Sequence, residues 1–148
     1  MKARNILLVH PSKKLLGKED PIYTNESLTP ALGLGVLSGY LRDKGVECKI
    51  VDLRLPHRSI EDVYSYIEEA GPLLVGVTAF TAEAPAANVV AEKVKARWPH
   101  VPVVLGGPHA TATPEDVLKS YPSIDVCVVG EGEETTLHLV ETLSGRNG

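Results

Sequence analysis

Five short runs of Val, Ile and Leu recur along this chain, each almost unbroken by a polar residue: NILLVH (5–10), CKIVDL (48–53), LLVGVT (73–78), VPVVLG (101–106) and DVCVVG (125–130). A strand with one face in water alternates apolar and polar side chains, so uninterrupted runs mark strands covered on both faces, the condition of a parallel sheet. The stretches between them carry helical spacing instead. Leu32, Val36, Leu37, Tyr40 and Leu41 repeat at three and four residues, as do Val63, Tyr66 and Ile67, and later Val89, Val90 and Val94. Helix-start signals stand in front of these segments: Thr29 before Pro30, Ser59 with Asp62 three residues on, and Thr113 before Pro114 with Glu115 and Asp116 behind it. Right-handed crossovers then give an α/β fold, a doubly wound five-stranded parallel sheet with helices on both faces.

At 148 residues, 43% apolar and 23% charged, the chain suits one domain over residues 1–148 with a proper core. The net charge of -4 and the lack of a basic stripe argue against a nucleic-acid or anionic-membrane partner. No segment approaches the ~20 apolar residues of a membrane span, and the N-terminus lacks a signal peptide's long apolar stretch, so a cytoplasmic location is expected. Cys48 and Cys127 sit far apart in two predicted strands and read as two buried thiols, neither a metal clip nor a disulfide.

In such a sheet, ligands gather at the carboxyl ends of the strands. The first strand is followed by PSKKLLGKEDPIYTNESL (11–28), far longer than the ~2–6 residues usual for such a connection, which points to a functional loop. After the third strand comes TAFTAEAP, where Thr78 and Thr81 offer hydroxyls and Phe80 an apolar face. The fourth ends in GGPHATATPED and the fifth in GEGEETT. Glycines at these ends let a bulky group approach the backbone, or let a helix pack tightly on the sheet.

The helix starts on that edge narrow the ligand chemistry. Glu61 and Asp62, Glu83, Glu115 and Asp116, and Glu133 and Glu134 fall in predicted first turns, where a di- or triphosphate needs bare N–H groups. TPALGLGVLSG starts without acid, but its GxGxxxG spacing departs from the dinucleotide fingerprint and no Gly-Lys-Ser/Thr follows. Asp52, ending the second strand, could imitate a ribose-binding acid or simply terminate the strand. A phosphoacceptor receiver domain needs acids at the end of strand one and an Asp at the end of strand three, where this chain has His10 and Thr78.

Taken in order, TPALGLGVLSGYLRDKG, VDL, VGVTAFT, VVLGGPHATATPED and VVGEGEET resemble the N-terminal cobalamin-binding domain of the B12-dependent radical SAM enzymes, the group that contains corrinoid methyltransferases and the anaerobic ring cyclase of chlorophyll synthesis. The resemblance covers essentially the whole chain. It implies a flavodoxin-like, Rossmann-like fold in which the cobalamin tail enters a slot at the carboxyl edge while the corrin lies across it. On that footing Gly106 and Gly107 are bare so that the tail can lie against backbone, Pro108 fixes the turn, and His109 with Thr111 supplies polar contacts. Thr78 and Phe80 match the family's Ser-x-Leu position, with Ala79 and Thr81 beside them in the expected site, Gly130, Glu131 and Gly132 close the far side, and Leu28, Thr29, Pro30, Leu32 and Gly33 cover the corrin from the first helix.

The Asp-x-His-x-x-Gly motif that cobalamin domains of methionine synthase and the mutases carry after strand one, whose His replaces the tail base on cobalt, is reduced here to a glycine in LTPALG (28–33), as in many members of the radical SAM group. The resemblance therefore implies a withdrawn tail without that histidine. His10 and His109 are candidate cobalt ligands, each with a hydrogen-bonding role as the plainer expectation. His57, His100 and His138 read as surface residues. The family's radical step needs S-adenosylmethionine and a CxxxCxxC-bound [4Fe-4S] cluster, which two distant cysteines cannot hold, so the chain is expected to be the cofactor-binding domain excised from a longer radical SAM protein whose catalytic domain is the partner. A stand-alone corrinoid carrier, a cofactor-free interaction domain and a flavin or nucleotide domain are the alternatives.

Overall fold

A computed structural model describes residues 4–17 and 31–145. The strands are β1 (Asn5–His10), β2 (Glu47–Asp52), β3 (Val75–Thr78), β4 (Val103–Gly106) and β5 (Val126–Cys127). Each coincides with one of the five apolar runs. All pair in parallel in the order β2-β1-β3-β4-β5, with Leu8 opposite both Ile50 and Gly76, and Val77 opposite Leu105. β5 is shorter than its run: after Cys127 one further ladder bond, Val128 N–H to Leu105 O at 2.9 Å, precedes the left-handed Gly130 at φ 77°.

The helices are α1 (Leu32–Asp43), α2 (Ile60–Ala70), α3 (Ala84–Arg97), α4 (Pro108–Ala112), α5 (Pro114–Ser120) and α6 (Glu133–Leu143). The single turn α4 is an addition to the sequence expectation: Pro108 at its first position needs no N–H partner and carries the φ a helix start requires. The Thr29–Pro30 start signal lies outside the described residues. At α2 the carboxylate of Asp62 accepts the Ser59 N–H at 2.8 Å, in the capping box that the sequence signals.

Strand pleating divides the core into two layers. Leu7, Val9, Val75, Val77, Val103 and Leu105 pack against Val63 and Ile67 of α2, Val90 and Val94 of α3 and Val117 of α5. Ile6, Leu8, Leu74, Val104 and Val128 face the opposite way, under Leu34 and Leu41 of α1 and Val140 of α6. Val36 departs from the expected buried stripe: the inward face of α1 is Leu34, Ser38 and Leu41, which leaves Val36 63% exposed. Cys48 and Cys127 are half-buried rather than buried, because β2 and β5 are the two edges of the sheet. Burial pushes both thiols up; at Cys48 the Ser38 hydroxyl and the Arg42 charge oppose that shift in part. Among the described residues no helix is long and apolar enough to cross a membrane.

Candidate cofactor-binding site

The sheet order reverses direction at β1 and β3, and there the helices leave on opposite faces, opening a crevice at the carboxyl ends. On the α1 and α6 face this crevice deepens into a cavity of about 210 Å³. Its floor is the sheet itself, at Leu8, Gly76 and Val104. One wall is α1 through Gly33, Leu34 and Leu37, and the other is α6 through Gly132, Glu133 and Thr136. Thr78, Gly106, Gly107 and Gly130 surround the mouth.

Four strand ends and two helices thus contribute, and the glycines decide how much room is left. Among the described residues, a Cβ on Gly33, Gly106 or Gly130 would meet no atom within 4 Å. These positions are bare toward open space. Gly76 is a floor residue: a Cβ there would lie 2.9 Å from Leu8 Cδ2, so the missing side chain keeps two neighbouring strands free of bulk beneath the cavity.

Gly107 has a different reason to be glycine. Its φ is 93°, and a Cβ would lie 2.6 Å from Thr78 Oγ1 and 3.1 Å from both Ala79 N and Ala79 O. The chain crosses the end of β3 here, with Ala79 N–H donating to Gly106 O at 3.3 Å and His109 N–H donating to Ala79 O at 3.1 Å. The sequence reading gave both glycines one purpose. The structure assigns Gly106 to open space and Gly107 to close backbone contact.

The remaining expected residues surround this mouth without lining it. Ala79 is buried, while Phe80 is 63% exposed and its N–H donates to Glu83 Oε1 at 3.0 Å. His109 Nδ1 is 3.2 Å from Thr81 Oγ1, and Thr111 Oγ1 accepts the Gly130 N–H at 2.9 Å. Those two contacts tie α4 to the ends of β3 and β5. Pro108 starts α4, and Glu131 is exposed beside Gly130. Leu28, Thr29 and Pro30 lie outside the described residues, as does the side chain of Leu32.

His10 is buried, with Nδ1 2.9 Å from Pro11 O and Nε2 3.6 Å from Glu83 Oε2. A carbonyl oxygen only accepts, so Nδ1 carries a hydrogen and the other ring nitrogen faces the carboxylate. Nδ1 is therefore held by a backbone oxygen, while Nε2 faces Glu83 beyond hydrogen-bond distance. His57, His100 and His138 are exposed, as expected.

Asp52 is engaged by Arg54: Oδ1 accepts from Arg54 Nε at 2.9 Å and from its N–H at 3.0 Å, and Oδ2 accepts from Nη2 at 2.8 Å. That fork leaves no carboxylate edge turned to a ribose. Burial pushes the Asp52 carboxyl up, but the Arg54 hydrogen bonds and charge, with a smaller contribution from His10, outweigh it and hold the group below 3.8. A depressed folded pKa adds stability that is complete above the unfolded value and is lost as pH falls through the folded one. Asp52→Asn should therefore cost about 1–3 kcal/mol at neutral pH and remove part of the stability lost below pH ~4, read by urea melts across pH 2–7.

Sequence reasoning missed Leu8, Leu34, Leu37, Leu74, Gly76, Val77, Val104, Val128, Glu133 and Thr136 as lining residues. Only Gly76 carried a local signal, a glycine inside a strand of large apolar residues, which marks a close approach. The others look like ordinary core or helix-start residues.

A family model described as B12 binding domain matches residues 22–140. An uncharacterized methyltransferase of Pyrococcus horikoshii is 38% identical over 144 residues, covering 97% of this chain and 30% of that protein. The anaerobic magnesium-protoporphyrin IX monomethyl ester cyclase of Rubrivivax gelatinosus is 35% identical over 136 residues, covering 91% of this chain and 24% of the cyclase. The chain thus spans less than a third of these relatives. Among solved structures, the cobalamin-dependent S-adenosylmethionine radical enzyme OxsB superposes with a TM-score of 0.71 at 18% identity, over 97% of this chain and 19% of that one, a likeness of fold. With the family model spanning most of the sequence and the cavity at the sheet's switch point, this chain belongs to the B12 binding domain family.

Proposed function

We propose that this domain holds a corrinoid with its nucleotide tail in the cavity between α1 and α6, base-off, on behalf of a radical SAM methyltransferase or cyclase. The observation that carries the reading is the cavity itself: about 210 Å³ of mainly apolar space, with Gly33, Gly106 and Gly130 bare toward it among the described residues. A flat heteroaromatic ring has the shape for it. Leu8, Leu34, Leu37 and Val104 would take the ring's faces, while Thr78 offers a hydroxyl at the mouth and Gly106 and Gly130 let the chain of the tail pass. Phe80 and the α4 turn, on the surface beside the mouth, would lie under the macrocycle.

When bound, the corrinoid supplies the cobalt chemistry, and no side chain of this domain takes part as acid, base or nucleophile. The chain's own task is to grip the tail, orient the ring and keep the tail base off the metal. His10, buried with Nδ1 on Pro11 O and Nε2 toward Glu83, would serve as a packed, hydrogen-bonding residue rather than as a cobalt ligand. The reading places the domain within a longer cytoplasmic polypeptide whose radical SAM domain is its partner, in keeping with the relatives being more than three times its length.

Titration with hydroxocobalamin and methylcobalamin, followed by absorbance and by co-elution on gel filtration, tests the reading. Saturable binding with conversion to the base-off spectrum is the expected result. A folded protein that binds neither would leave the interaction-domain alternative.

A further inference from the structure

Thr136 is a buried polar residue of the cavity, whose lining also carries Thr78 and Glu133. It sits one turn into α6, is 5% exposed, and lines the cavity among Leu34, Leu37, Leu74, Val104 and Val128. Its N–H is committed to Gly132 O at 2.8 Å, and its hydroxyl lies on the Gly132 side, 3.7 Å from where a Cβ on that glycine would be. Two other threonines show what a helical hydroxyl ordinarily does. Thr113 Oγ1 donates to His109 O at 3.3 Å and Thr142 Oγ1 donates to His138 O at 2.8 Å, each bonding the carbonyl four residues back. Among the described residues, the Thr136 hydroxyl makes no hydrogen bond of that kind or any other. A hydroxyl that lines a cavity without bonding the protein is free to bond a polar group that enters it, and a ligand edge carrying such a group gains that bond.

From this we propose that Thr136 is a specificity-determining residue for the corrinoid tail, hydrogen-bonding a ring nitrogen or amino group on the edge of a two-ring nitrogen heterocycle held in the slot. The inference rests on the corrinoid reading above and deepens it. The apolar walls recognise the faces of such a base, which any aromatic ring would satisfy. The hydroxyl recognises its edge, which a hydrocarbon or a tail-less corrinoid cannot satisfy. Thr136 is thus a tail-reading residue, distinct from the bare glycines that only make room.

Two bases share this chemistry, dimethylbenzimidazole and adenine, and the test separates them. Cobalamin, an adeninyl cobamide and cobinamide, which has no nucleotide base, are titrated against the wild-type chain, Thr136→Val and Thr136→Ser. Valine keeps the shape and removes the hydroxyl; serine keeps the hydroxyl. The expected result is that Thr136→Val weakens one or both base-bearing corrinoids by about 5- to 30-fold, leaves cobinamide unchanged, and is rescued by Thr136→Ser. Loss confined to one base identifies that base as the partner. Unchanged affinity of Thr136→Val for all three, or an equal loss for cobinamide, overturns the proposal while leaving the corrinoid reading intact. A wild-type chain that binds none of the three overturns both.

Discussion

A Gly106→Val variant should fold as stably as the parent and lose corrinoid affinity by about two orders of magnitude or more. The separation follows from the surroundings of that one residue. Gly106 ends β4, its φ lies outside the left-handed region, and a Cβ there meets no atom of the described residues within 4 Å. A β-branched residue is at home in a strand, so the fold has no reason to object. The space the new side chain enters is the mouth of the cavity, and whatever binds there must give it up. Absorbance titration gives the affinity, and urea unfolding gives the stability. A variant that melts like the wild type and still binds at full strength would place the corrinoid tail somewhere other than this cavity.

Gly107→Ala, one residue on, should do the reverse and destabilise the protein by about 2–5 kcal/mol. Alanine at φ 93° is strained in itself, at ~1–2 kcal/mol. The added methyl also lands 2.6 Å from Thr78 Oγ1 and 3.1 Å from two backbone atoms of Ala79, which cannot rotate away. Relief would require parting the ends of β3 and β4, where Ala79 bonds both Gly106 and His109. The unfolding midpoint in urea would fall sharply whether or not a corrinoid is present. If Gly107→Ala unfolds like the parent, the crossing at the end of β3 is looser than these distances state. Together the two variants separate making room from holding backbone, which adjacent identical letters in the sequence do not distinguish.

The regular part of the fold was legible because it rests on local patterns. A two-sided apolar strand advertises itself as an unbroken Val, Ile and Leu run, and all five runs hold a strand of one parallel sheet. The alternation of strand and helix then leaves few topologies, and right-handed crossovers select a doubly wound one. Finer points were lost where tertiary contacts override local preference. Val36 fits a helical stripe by count yet faces solvent, because α1 packs through Leu34 and Leu41. Cys48 and Cys127 read as interior residues, but strand order puts them on the two outer strands. The single turn α4 was hidden inside what looked like a loop of small residues.

For the site, the sequence by itself determined its edge and its rim. Glycine, proline and hydroxyl residues at strand ends are visible as letters, and Gly33, Thr78, Gly106, Gly107, Gly130 and Gly132 all surround the cavity. Only the tertiary structure decided what lies inside. Leu8, Leu74, Val104 and Thr136 come from β1, the approach to β3, β4 and α6, far apart in the chain, and nothing local sets them apart from core. A cavity is a property of how helices sit over a sheet: here residues of α1 and α6 flank a floor that includes Gly76. That arrangement depends on the packing of the whole molecule and on no single stretch of sequence.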